Sequence, residues 1–169
     1  FPYTTLFRSI RWPLEPTSWG WRLDVNFLAD AISPATKLLI LNVPNNPTGY
    51  IPVRVEMERI LSLADRMGTW VFCEETYRGM EHDPAAALPS LADLYPRATV
   101  VGGVNKYGLP GTRIGWLVTK NRQVLLDCAA YKDYTTLCNN APGEVLATIA
   151  MRNATTLLQR NSRANGLLM

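Results

Sequence analysis

The stretch Lys37–Val43, KLLILNV, runs directly into Pro44–Pro52, PNNPTGYIP, and this junction decides the fold. The apolar run is too short for an ordinary helix, and its bounding turn residues favour a buried strand. The segment after it is dense in Pro, Asn and Gly and reads as a loop. In open α/β sheets, ligands bind beyond the carboxyl ends of the strands, where such loops lie.

The same grammar continues on either side. Upstream, Val25, Leu28, Ala29 and Ile32 recur at helical spacing, so Asp24–Ile32 reads as a short amphipathic helix. Downstream, Met57, Ile60, Leu61, Ala64 and Met67 share one helical face that stops at Gly68. Thr69–Cys73 (TWVFC) is a second buried strand ending at the acidic pair Glu74 and Glu75, and Ala98–Val104 (ATVVGGV) is a third. Arg113–Thr119 (RIGWLVT) reads as a fourth strand, and Asn121–Tyr134 and Glu144–Arg152 as helices that begin near caps or a proline. Strands alternating with helices across short loops predict an α/β fold with a mostly parallel sheet flanked by helices.

Bulk properties narrow the function. The 169 residues carry 17 Lys and Arg against 14 Asp and Glu, a net charge of +3. The cations are scattered, which argues against a nucleic-acid surface. No apolar run approaches membrane-spanning length, so no membrane partner is expected. The odd number of cysteines, Cys73, Cys128 and Cys138, lacks metal-ligand spacing and argues against a disulfide framework. The single His82 cannot build a metal site alone, and a reducing, cytoplasmic setting is the expectation. Phe1–Ser9 (FPYTTLFRS) resembles translated adapter sequence and is set aside as a non-native tail. Asn153–Met169 reads as the start of a further helix.

Three polar clusters fall at strand ends. Asn42–Gly49 holds the amide of Asn46 in a loop stiffened by Pro44 and Pro47, although a plain turn would use the same residues. Glu74-Glu-Thr-Tyr77 places a carboxylate where an apolar strand stops, together with a hydroxyl, and an acid in the first turn of a helix fits equally. In Asn105-Lys-Tyr-Gly-Leu-Pro-Gly-Thr-Arg113, Lys106 and Arg113 flank a Gly- and Pro-rich loop and can converge on one anion. Two surface cations beside a flexible loop is the plainer account.

In this order, Asn46-Pro-Thr-Gly49, Glu74-Glu-Thr-Tyr77 and Asn105-Lys-Tyr-Gly-Leu-Pro-Gly-Thr-Arg-Ile-Gly115 resemble the three signature segments of class I/II aminotransferases, enzymes of fold type I that depend on pyridoxal 5′-phosphate (PLP). The resemblance runs from about Ile10 to the end. It implies that 10–152 is part of the PLP-binding large domain and that 153–169 begins the helix toward a small domain. It further implies that Lys106 forms the internal aldimine and moves the substrate's Cα proton. Asn46 and Tyr77 would hydrogen-bond the cofactor's phenolic oxygen, Glu74 would pair with the pyridine nitrogen, and Arg113 would hold the phosphate. Amino acid and 2-oxo acid substrates and a homodimer are implied with the family. A PLP-dependent lyase or cyclase of the same fold, a PLP-sensing domain of a transcriptional regulator, and an inactive homologue are the alternatives.

Two positions depart from the family pattern. Glu74 stands where the family has Asp, extending the carboxylate by more than about an ångström. The family's lysine precedes its phosphate arginine by eight positions, yet Lys106 precedes Arg113 by seven, and Asn105 occupies the eighth. Either one residue is lost between Lys106 and Tyr107, or Asn105 replaces the lysine with an unrelated Lys after it, and both Asn105 and Lys106 are expected among the cofactor-binding residues. The segment upstream favours the loss, with Asn105-Lys106 standing for the family's Ser-Lys. The family's small-residue phosphate loop, stacking aromatic and carboxylate-binding arginine lie in parts that these residues do not match, so the fragment alone is expected to be inactive.

Overall fold

Alternation within the short apolar runs sets the layers of the molecule. The structure, a computed structural model, describes residues 8–166, with side chains described through Asn161. Strands β3 (Leu38–Asn42), β4 (Trp70–Glu74), β5 (Ala98–Gly103) and β6 (Gly115–Thr119) form a sheet in that order. The first three are parallel and β6 is antiparallel to β5. On one face Leu39, Leu41, Val71, Cys73, Ala98 and Val100 are buried. They form one core with residues of α1 (Val25–Ala31), α2 (Arg54–Met67) and α3 (Leu91–Leu94). Leu38 and Ile40, which alternate with these residues along β3, are exposed.

Helix α2 shows how sequence sets a boundary. Its apolar face, Met57, Ile60, Leu61 and Ala64, is buried, and the Glu56 carboxylate accepts the Val53 backbone N–H at 3.0 Å where the helix begins. It ends at Gly68, whose φ of 67° is a left-handed conformation that a side chain would strain. Thr69 then starts the next strand with its hydroxyl on the Thr36 carbonyl at 3.0 Å, tying β4 to the approach of β3.

The expected strands and helices are present, with bounds moved for local reasons. The fourth strand starts at Gly115 and not at Arg113, because Arg113 adopts φ 57° and breaks the extended chain. Helix α5 (Ala141–Arg152) begins three residues before the expected Glu144, capped by Asn140 with a proline in its first turn. Helices α4 (Arg122–Thr135) and α6 (Ala154–Gly166) complete the chain. A hairpin of β1 (Leu14–Thr17) and β2 (Gly20–Leu23) was not legible, since Pro16 argues against a strand. Most of the tail read as non-native, residues 1–7, lies outside the described residues.

Candidate functional site

Parallel pairing lays the three polar clusters side by side at the carboxyl edge. Asn42 is in register with Glu74, and Glu74 with Val101. The Asn42 amide donates to the Glu74 carbonyl at 3.4 Å, and its side-chain oxygen accepts the Asn46 N–H at 2.6 Å. These bonds fold the Pro-rich loop back over the strand end and leave the Asn46 side chain exposed.

Two adjacent acids take different roles at the end of β4. Glu74 is exposed, and its carboxylate accepts the Thr76 hydroxyl at 2.9 Å. Glu75 is buried, accepts the Leu91 N–H at 2.8 Å and faces Arg78 at 3.6 Å. Glu75 thus caps the start of α3, while Glu74 remains available to a ligand. Tyr77, half-buried, follows in the same turn.

After β5 the chain makes a tight turn, Val104–Tyr107, closed by the Gly108 N–H on the carbonyls of Asn105 and Val104. From this turn the Nζ of Lys106 reaches over the Tyr77 ring, 4.6 Å from its centroid. The Asn105 side chain instead doubles back and accepts the Lys106 N–H at 3.0 Å. Arg113 lies exposed at the far end of the loop, where its Nη1 donates to the Pro110 carbonyl at 3.1 Å. Among the described residues, neither Lys106 nor Arg113 is ion-paired with a carboxylate.

Lys106 and Tyr77 are therefore brought together, and Glu74 shares a strand row with Asn42. Asn46 and Arg113 stand on their own loops without a hydrogen bond to Lys106 or Tyr77 among the described residues. Beside the lysine turn an open cleft of about 430 Å³ is lined by Thr76, Arg78, Gly103, Tyr107, Trp116 and Leu158. Tyr107 stands edge-on to Trp116, ring centroids 6.5 Å apart, and burial raises its pKa, opposed by Arg78.

Two asparagines that sequence patterns do not single out grip the lysine loop. Asn140 donates to the Thr112 carbonyl at 2.9 Å, and Asn161 to the Lys106 carbonyl at 2.8 Å. Asn140 could be recognised as a helix cap from the Pro142 that follows it. Asn161 sits inside a helix, where no local signal reveals a distant partner.

Known proteins resemble this chain in sequence and in fold. The family model described as aminotransferase class I and II matches residues 3–162. A tyrosine aminotransferase of Caenorhabditis elegans is 31% identical over 130 residues, 72% of this chain and 28% of that protein. A capreomycidine synthase of Streptomyces vinaceus is 31% identical over 149 residues, 87% of this chain and 37% of that one. The crystal structure of a PLP-dependent aminotransferase from Streptococcus suis superposes with a TM-score of 0.79 at 31% identity, covering 88% of this chain and 39% of that chain. The chain thus spans well under half the length of these relatives. On the family match and the shared fold, it belongs to the class I and II aminotransferase family.

Proposed function

We propose that this chain carries part of the PLP site of an aminotransferase that moves an amino group between an amino acid and a 2-oxo acid. The observation that carries this reading is the Lys106 amine held over Tyr77, beside a strand row that ends in Glu74. The donor set fits the group. Lys106 and Arg113 are cations without carboxylate partners among the described residues, as an aldehyde bearing a phosphate requires. Among the described residues the Glu74 carboxylate is engaged only by the Thr76 hydroxyl, which leaves an acceptor for a protonated ring nitrogen.

When bound, PLP supplies an electron-accepting ring that stabilises negative charge at the substrate's Cα. Lys106 would be the amine that holds the cofactor and the base that moves the substrate's Cα proton. The Tyr77 face attracts its ammonium and orients an otherwise mobile side chain. Glu74 would pair with the ring nitrogen and keep it protonated, Asn46 and Tyr77 would hold the phenolic oxygen, and Arg113 would hold the phosphate. Asn105 positions the turn through its bond to the Lys106 N–H. The geometry supports loss of one residue after Lys106, since Lys106 and not Asn105 reaches the tyrosine. Residues 10–152 are then part of the large domain, and the remaining groups come from elsewhere in a homodimeric, cytoplasmic enzyme.

The test is turnover by the full-length protein of an amino donor with a 2-oxo acid, each product appearing in equal amount. Similarity to a synthase favours one second reading, a PLP-dependent lyase or cyclase. That outcome would convert the amino acid without consuming a 2-oxo acid.

A further inference from the structure

Helix α6 meets the Lys106 turn and the turn that follows Tyr77. Asn161 donates its amide to the Lys106 carbonyl at 2.8 Å. One turn earlier, on the same face, Leu158 packs on Gly79, which lies within the turn that the Met80 N–H closes on the Tyr77 carbonyl. The fit there is close: a Cβ on Gly79 would meet the Leu158 Cδ1 at 2.7 Å. The neighbouring carbonyls of Val104 and Asn105 are taken by backbone N–H groups of the turn itself, whereas the Lys106 carbonyl is held by α6. The plane before Lys106 is held by the Asn105 side chain on its N–H and by the Gly108 N–H on the Asn105 carbonyl. Fixing the Lys106 carbonyl then fixes the plane after it, and so the direction in which the lysine leaves the chain.

We infer that α6 is a brace for the lysine, with Asn161 as a positioning residue that aims Lys106 at Tyr77 and Leu158 as its packing counterpart. The inference rests on the functional reading of Lys106 only for its purpose, because the brace is a property of the apoprotein. A hydrogen bond of ordinary strength corresponds to about a two- to tenfold change in the population it favours.

The test converts the lysines of the full chain, Lys37, Lys106, Lys120 and Lys132, to ¹³C-dimethyl-lysine and records their NMR signals. Lys106→Arg identifies the Lys106 signal, and Tyr77→Leu removes the ring. With Lys106 over the ring, its methyl signal lies upfield of the other three. Asn161→Ala should lower that displacement by about half or more, and Asn161→Asp, which sets an acceptor against the carbonyl, at least as much. Where Asn161→Ala does not fold, Leu158→Ala decides, and it should also lower the displacement. Displacement unchanged in the folded variants, or absent from the unmutated protein, overturns the brace. Borohydride fixation of PLP separates the two claims. A displaced signal without pyridoxyl label at Lys106 keeps the brace and removes the functional reading. Label at Lys106 with a displacement indifferent to α6 does the reverse.

Discussion

The Lys106 ammonium lies over the face of Tyr77, 4.6 Å from the ring centroid, and so joins the turn after β5 to the turn after β4. On the proposed reading Tyr77 would have two functions, a ring that orients the amine and a hydroxyl that would reach the cofactor. Tyr77→Phe keeps the first and loses the second, and PLP affinity should fall about tenfold. Tyr77→Ala loses both and should weaken binding further. Equilibrium titration of PLP against the full-length protein measures each step. Equal affinity in all three proteins would remove Tyr77 from the site.

Glu74 is exposed and, among the described residues, its carboxylate is hydrogen-bonded only by a neighbouring hydroxyl, so changing it should leave the fold intact. Loss of a charged hydrogen bond to the ring nitrogen corresponds to about ten- to a hundredfold in rate. Glu74→Gln should lower kcat by that order without lowering Tm, while Glu74→Asp should retain activity. A Gln variant at full activity would mean that Glu74 does not meet the ring.

Glu75, next in sequence, is a stability residue. Its buried carboxylate accepts the Leu91 N–H at 2.8 Å and faces Arg78. Glu75→Leu orphans a buried donor at the start of α3 and should cost about 1–3 kcal/mol. Glu75→Gln keeps an acceptor and should cost less. Urea unfolding of the two variants gives the comparison.

The thiols differ by burial. Cys73 is buried, and desolvation, with the carboxylate of Glu75 adding to it, pushes its pKa up to about 12, whereas Cys128 and Cys138 are exposed. A thiol reagent near neutral pH should label Cys128 and Cys138 and spare Cys73 until the protein unfolds. Burial and the neighbouring Glu56 likewise push the Tyr50 pKa up to about 12. Both groups hold their protons more tightly when folded, so their contribution is undiminished below the ordinary values of 9.0 and 10.0 and is lost as pH rises toward about 12. Denaturant midpoints across that range should fall. Early labelling of Cys73 or a flat alkaline profile would contradict this packing.

Much of the architecture follows from local pattern. Strands β3, β4 and β5 are short apolar runs closed by turn residues, and Gly68 ends α2 where its φ demands glycine. What escaped depends on distant partners. Helix α3 spans only Leu91–Leu94, too short for periodicity, and its first N–H is satisfied by Glu75 from another strand end. The antiparallel sense of β6 is set by a tight loop with Arg113 in a left-handed conformation, which residue type does not announce. For the site, sequence order proposed Asn46, Glu74, Tyr77, Asn105, Lys106 and Arg113 as candidates. The cation over the ring, and the grip of Asn161, required the fold.

The central claim is that Lys106 is the cofactor-bearing amine. Incubating the full-length protein with PLP, reducing with borohydride and mapping the pyridoxyl peptide tests it most directly. The label is expected on Lys106 and absent from Lys106→Ala. A label that persists in that variant, or falls on another lysine, would contradict the account.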